Sequence, residues 1–399
     1  MSGQTIYFDN AATTKVRREV LDAMIPYFLE DYGNPASIHS MGRNPRDAME
    51  AARKQIASLI GAKPQEIYFT AGGSEADNWA IKSAVLGPHA KGKHLIVSAV
   101  EHHAIIAACE YLEKMGVDVT YVPVDGNGRV DPADVEDAIR DDTAMISVMT
   151  ANNEIGTIEP IREIGAVARR HKVLFHTDAV QAYGQIPLDV DADNVDLMSA
   201  SAHKLGGPKG VGFLYIRNGV RIDPLVHGGG QERGIRGGTS NVPGIIGFGK
   251  AAEIAARDMG AHIAKETELR DHLIGRVLGE IPYSRLNGDP VHRLPGNANF
   301  SFDFVEGESL LMSMNMAGVC ISTGSACASG SLDPSHVLLA IGLKHETAHG
   351  SLRFSISSDN TMEEVDRAVD ILKAAVERLR SMSPLYEDFI KDQKKKQEA

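Results

Sequence analysis

The chain is poor in cysteine, with Cys109, Cys320 and Cys327 the only three in 399 residues. None forms a C-x-x-C pair and an odd number does not suit a disulfide framework, so a secreted disulfide scaffold is excluded and a reducing cytosol is the natural compartment. No apolar run approaches the roughly 18 residues that cross a bilayer. No basic stretch leads into a short apolar one near the N-terminus, so the sequence predicts a soluble, cytoplasmic protein without a secretory signal. Cationic charge is also short. With 41 Lys and Arg against 53 Asp and Glu the net charge is -12, the wrong sign for a general nucleic-acid binder, which needs clustered cations against phosphate. The one basic cluster, KDQKKKQEA at the C-terminus, reads as a frayed, solvated tail or as a docking tail for an acidic partner.

What is present is the composition of a globular chain, 43% hydrophobic and 24% charged, long enough for two cores. From about residue 64 to 216 apolar runs alternate with helical spacing. The strand-like runs are 66–70, 94–99, 118–124, 144–150, 173–179 and 210–216, with SEADNWAIKSAVL and IREIGAVARRH among the helical stretches. That alternation predicts an α/β fold with a mostly parallel sheet covered on both faces. In such sheets ligands bind beyond the C-terminal strand ends. Near residue 260 the pattern changes: a long helical stretch over 246–280 leads to the short strands NANFSFD, GVCIST and SLRFSIS. We read a large domain over 15–260 and a smaller α+β domain over 261–399, joined by the N-terminal segment 1–14. A helix around 16–30 could pack with either.

Several segments carry candidate chemistry. In TAGGSEADNWAI (70–81) Gly73 and Ser74 open a helix after a strand. Free N–H groups and the helix dipole make that an anion site, or Ser74 is simply an N-cap. Asp178 closes an apolar strand in VLFHTDAVQAYG. A carboxylate there is expensive to bury alone, and it suits pairing with a pyridinium nitrogen or capping the next turn. Lys204, in LMSASAHKLGGPKG, follows Ser201 and His203 at a strand end, where a lysine can be tuned to attack an aldehyde. Lys209 reads as a surface charge or a flank of that site. Cys327 lies in TGSACASGS, a run of small residues that predicts a mobile loop carrying a nucleophilic thiolate. Cys109 and Cys320 sit in helical and strand patterns and read as buried small hydrophobes.

Taken in order, YFDNAATT, YGNPASIH, MTANNEIGTIEPI, HTDAVQ, SAHKLGGPKG, HGGGQERGIRGGTSN and STGSACASGSLDPSHVL resemble the NifS/IscS-type cysteine desulfurases of the class-V aminotransferase family. These are pyridoxal 5'-phosphate (PLP) enzymes of fold type I. The resemblance runs from about Tyr7 to residue 380. It implies that Lys204 binds the cofactor covalently, that Asp178 pairs with the ring nitrogen and that His102 stacks on the ring and shuttles protons. His103 is the weaker choice for that role. Gly73, Ser74, Ser201 and His203 hold the phosphate. Gln181 and Asn153 contact the ring oxygen and the substrate side. Thr239 reaches the neighbouring subunit's phosphate, which implies a homodimer. Arg353 grips the substrate carboxylate with its planar fork. Cys327 takes sulfur from L-cysteine as a persulfide, releasing L-alanine, and passes it to an iron–sulfur scaffold protein. No resident metal is implied, though transient iron–sulfur ligation by Cys327 stays open.

Three positions depart from the common pattern. Ser74 stands where Thr is frequent, Gly206 replaces a bulkier residue after the lysine and so predicts a looser loop, and Ala328 replaces a hydroxyl residue next to Cys327. The rival readings are a selenocysteine lyase or cysteine sulfinate desulfinase, an aminotransferase, and a non-catalytic metal-binding assembly protein. His336 and His345 could be cited for the last, but their spacing fits no standard metal pattern and it leaves Lys204 and Asp178 without a role.

Overall fold

The computed structural model describes residues 5–323 and 334–398. Twelve strands occur among them: β1 (Ile6–Tyr7), β2 (Ile67–Thr70), β3 (His94–Ser98), β4 (Asp118–Val122), β5 (Thr143–Ser147), β6 (Leu174–Asp178), β7 (Leu197–Ser201), β8 (Gly212–Ile216), β9 (Ser284–Asn287), β10 (Asn297–Phe302), β11 (Val319–Cys320) and β12 (Ser351–Ser355). Seven form one sheet in the order β2-β8-β7-β6-β5-β3-β4. Its pairs are parallel from β7 to β4, while β8 runs antiparallel to both β2 and β7. Strands β3, β5, β7 and β8 are buried along their whole length, which is why they read as continuous apolar runs rather than alternating ones.

A second, antiparallel sheet has the order β12-β10-β9, and β1 pairs with β11 in parallel. Bridges Asp9–Ser355 and Ser322–Arg353 attach that short pair to β12. The change of composition near residue 260 marks no break in the chain, because one helix runs unbroken over Val242–Glu280. Its first half, through Ala255, packs into the core of the seven-stranded sheet. From Leu269 it packs into a separate core with Phe300, Phe354 and Val369, and Ile6 and Phe8 belong to that second core. Near the N-terminus, Pro26 splits the expected helix into Arg18–Met24 and Pro26–Leu29, and Val20 and Met24 enter the larger core.

Residues 391–395 of the C-terminal tail are exposed, as a solvated tail should be, but they continue a helix rather than fray. Pro384–Glu398 is a helix, anchored where Phe389 meets Tyr283 and Phe304 and supported by the Glu387–Lys391 pair at i, i+4. Gly206 also corrects the reading of a loosened loop. Its φ is +79° and a Cβ there would lie 2.9 Å from Arg17 Cγ. Its N–H donates to Thr14 Oγ1 at 2.8 Å and its carbonyl accepts from Arg17 N–H at 3.0 Å, so glycine is what lets the two segments pack.

Candidate active site

The C-terminal ends of β2, β3, β5, β6 and β7 open onto a cavity of about 350 Å³. Gly73, Ser74, His102, Asn153, Asp178, Gln181, Ser201, His203, Lys204 and Arg353 all line it. Gly73 and Ser74 form the first turn of the Gly73–Leu86 helix, with N–H groups that have no partner inside the helix. A Cβ on Gly73 would lie 2.6 Å from Val180 Cγ2, so only glycine lets this turn approach the loop after β6.

Lys204 follows β7 in a single tight turn, Ala202–Lys204. Its Nζ donates to the carbonyls of Ala11 at 2.5 Å and Ala12 at 2.8 Å. Gln181 Nε2 donates to the Ala11 carbonyl as well, at 3.0 Å. Asp178 ends β6 and is 4% exposed. Its Oδ1 accepts the Val180 N–H at 2.8 Å. Burial pushes its carboxyl up to about 6, against the pull of that N–H and of Lys204. His102 caps the His103–Glu113 helix, its Nδ1 accepting the Ala104 N–H at 3.1 Å. Burial first, then Lys204 and His103, bring its imidazole down to about 4, so it is neutral at pH 7. His203 is likewise lowered to about 4 by burial, then Lys204 and Lys209, which puts the exposed Lys209 on the flank of the site.

Arg353 projects from β12 and is 2% exposed. One terminal nitrogen donates to the Asn153 carbonyl at 2.9 Å and the other to Asp9 Oδ1 at 3.0 Å. Its buried Nε has no partner among the described residues.

Thr239 is not brought into this cavity. It lines a separate one of about 140 Å³ with Thr70, Arg236 and Asn241. Beside it Glu75 accepts from Arg236 at 2.8 Å and from the Ala71 N–H at 2.9 Å, and both of those residues line this second cavity. Cys327 lies outside the described residues. Of the other thiols, Cys109 is buried and Cys320 only partly so. Burial raises Cys109 to about 12, which makes it a poor nucleophile.

Sequence reasoning missed three acids that line the cavity, Asp77, Glu101 and Glu154, and raised His336, which also lines it, only for a metal-binding reading. Burial raises Glu101 to about 8 and Glu154 to about 7. Ser98 Oγ donates to Glu101 Oε1 at 2.6 Å, and the Ser335 hydroxyl donates to Glu154 Oε2 at 2.5 Å. His336 Nε2 donates to the Glu101 carbonyl at 3.0 Å. Asp77 alone had a usable signal, one helical turn beyond Gly73 and on the same side.

Asp77, His102 and Asp178 bring one ligand-type atom each within 4.8 Å of one another, and Asp77 Oδ1 is buried without a partner among the described residues. That donor set would accept a hard cation or a cationic heterocyclic N–H. The two cationic side chains and the helix N-terminus on the same cavity favour a ligand carrying anionic groups as well as a protonated ring.

The sequence pattern of the class-V aminotransferases matches residues 6–368. A cysteine desulfurase IscS of Methanosarcina thermophila is 53% identical over 382 residues, 96% of this chain and 94% of that protein. One from Dictyoglomus turgidum is 53% identical over 384 residues, covering 96% and 98%. A solved NifS-like protein superposes with a TM-score of 0.88 at 38% identity, over 94% of this chain and all of the other. A structure described as SspA in complex with cysteine gives 0.79 at 38% identity, over 88% and 99%. The chain therefore belongs to the class-V aminotransferases and, within them, to the cysteine desulfurases.

Proposed function

We propose that this chain binds PLP on Lys204, moves the sulfur of L-cysteine to Cys327 as a persulfide, and hands it to an iron–sulfur scaffold protein. The observation that carries this reading is the convergence, in one cavity, of an amine at a strand end, a buried carboxylate, a neutral imidazole, a helix N-terminus and a buried guanidinium. Gly73, Ser74, Ser201 and His203 would hold the phosphate, Asp178 the ring nitrogen, and His102 a ring face. Gln181 would serve the ring oxygen and Asn153 the substrate side. When bound, PLP withdraws electrons from the substrate α-carbon.

The chain's own groups do the rest. Lys204, once freed from the Ala11 and Ala12 carbonyls, is the base for the α-proton. Neutral His102 can accept a proton and return it, being a cation beside Lys204 only in between. Arg353 fixes the substrate carboxylate. The Cys327 thiolate attacks the substrate sulfur: an S–S bond forms, the C–S bond breaks, and its electron pair stays on carbon to be protonated. Cysteine plus thiol gives alanine plus persulfide, so no external oxidant is needed.

Two features support a homodimer. Thr239 lies away from the cavity of its own chain, and the stretch 25–41 presents Phe28, Leu29, Tyr32 and Ile38 to solvent at 58, 73, 69 and 92% exposure, more apolar surface than an isolated chain keeps in one place. No helix among the described residues is long and apolar enough to cross a membrane, and a reactive thiol suits a reducing cytoplasm.

The test is mass spectrometry on protein incubated with cysteine. A gain of one sulfur on the Cys327 peptide, lost in Cys327→Ser, together with borohydride trapping of the cofactor on Lys204, is the expected result. Selenide release with no cysteine turnover would favour the lyase reading. Trapping at Lys209 would overturn the lysine assignment.

A further inference from the structure

The Gly73–Leu86 helix carries a second acid into the same cavity. Asp77 is 1% exposed and lies with Asp178 and His102 in a cluster whose facing atoms are within 4.8 Å of one another. His176 Nε2 is 3.8 Å from Asp77 Oδ1, but both nitrogens of that ring are engaged by hydroxyls, Ser147 at 2.8 Å and Ser199 at 3.0 Å. Burial brings that imidazole down to about 3, so it is neutral. Asp77 Oδ1 has no hydrogen-bond partner among the described residues.

Two ionised carboxylates cannot share so small a dry space at reasonable cost. Burial, then the charge of Asp178, raises Asp77 well above the usual carboxylate range. Ser199 opposes that shift, and Glu101 adds to it from the far side of the cavity. Burial raises Asp178 as well, to about 6, but the Val180 N–H and then Lys204 oppose that shift. The pair is therefore asymmetric.

We propose that Asp77 works as a neutral carboxylic acid that donates a hydrogen bond to Asp178, leaving Asp178 as the single carboxylate charge offered to the cofactor ring. Asp77 is then a positioning residue, and this rests on the PLP reading above. The facing atoms of the two carboxyls lie within 4.8 Å of each other. The bond fixes the Asp178 carboxylate in one orientation and moderates its basicity, which keeps the proton on the ring nitrogen side of the pair.

Asp77→Asn keeps a neutral donor of the same shape, and Asp77→Val keeps the shape without the donor. The first readout is the infrared carbonyl band of a protonated carboxylic acid in the apo-protein, taken as a wild-type minus Asp77→Asn difference. The second is PLP affinity of the apo-protein by fluorescence titration. The third is the pH dependence of bound-cofactor absorbance. We expect the band in the difference spectrum, affinity within about threefold for Asp77→Asn, and a loss of about tenfold or more for Asp77→Val with a shifted absorbance titration, as for a buried group left unpartnered. A purely structural role would lower the melting temperature of Asp77→Val without moving that titration. No band, or an asparagine variant as weak as the valine one, would mean that Asp77 is ionised and would overturn the proposal. If Asp77→Val does not fold, the infrared and asparagine results still decide. Wild-type apo-protein that takes up no PLP would sink the PLP reading itself, and would be seen apart from any effect of Asp77.

Discussion

Replacing Arg353 by alanine tests the substrate end of the site. A guanidinium has five N–H donors. Here one terminal nitrogen is committed to the Asn153 carbonyl and one to Asp9, which leaves Nε and the remaining terminal hydrogens for a carboxylate. A charge-assisted hydrogen bond contributes roughly 1.5–3 kcal/mol. Removing a bidentate pair of such bonds should cost ~3 kcal/mol, which at 1.4 kcal/mol per decade raises the KM for cysteine roughly 150-fold. Removal also leaves the Asp9 carboxylate without its partner and facing the substrate's own, so the effect should not fall below that of a neutral deletion. Arg353→Lys should recover little, since an ammonium cannot serve Asn153, Asp9 and a carboxylate in one plane. The assay is alanine formation against cysteine concentration. Cofactor content is the control, because Arg353 is assigned to substrate and not to PLP. A KM within about twofold of wild type in a folded, cofactor-loaded variant would refute the reasoning.

Other outcomes follow from the same geometry. Gly73→Ala places a Cβ 2.6 Å from Val180 Cγ2 and should weaken PLP retention by about 1–3 kcal/mol of overpacking. Gly73→Ala with Val180→Ala should restore part of it in the same titration. Glu101 and Glu159 are both raised to about 8 by burial, so the folded state holds protons that the unfolded chain has already lost above about pH 4.5. His102, His176 and His203 are depressed and are neutral in both states above about pH 6.5. Between pH 6.5 and 8, therefore, the melting temperature of the apo-protein should fall as pH rises, and Glu101→Gln should flatten that slope. A melting temperature that rises over this interval would contradict the assignment. Cys109→Ala should leave persulfide formation intact and lower only stability, as measured by melting and by sulfide release. Loss of turnover in a folded variant would reopen the choice of nucleophile.

The sheet was legible because its strands are buried on both faces and its helices are amphipathic. β6 and the Ile161–His171 helix, for example, fall close to where period and apolar runs place them. The Val242–Glu280 helix was legible as a helix but not as the link between two cores, since nothing in local period says that residue 255 and residue 269 face different neighbours. Lys204 and Asp178 could be singled out because a charge at the end of an apolar strand is locally anomalous, whereas Arg353, in the middle of β12, came only with the family resemblance. Glu101 and Glu154 could not be singled out, and Asp77 only through its place one helical turn beyond Gly73. Each is an ordinary polar residue in its own segment and becomes costly only when tertiary packing removes water from it. The tail's charge pattern says solvated and residues 391–395 are exposed, but its helix was not legible, because the anchor at Phe389 packs on aromatic residues about a hundred positions away.

The N-terminal FDNAATT stretch shows why a motif can be recognised long before its work is understood. Along the sequence it is a short polar run with no period. In the folded chain it connects the two ends of the site. Asp9 holds Arg353, Ala11 and Ala12 hold Lys204, and Ala11 also takes Gln181. Thr13 meets His203 at 3.2 Å and Thr14 Oγ1 donates to the His203 carbonyl at 2.9 Å. One short strap thus touches the substrate-side guanidinium, the amine and the phosphate-side histidine. Its hold on the amine is made by backbone carbonyls, which carry no side-chain signature. The carbonyls compensate the lysine charge while the amine waits. The same strap also anchors Arg353, so the residues proposed to grip the substrate and to attach the cofactor are positioned by one piece of chain.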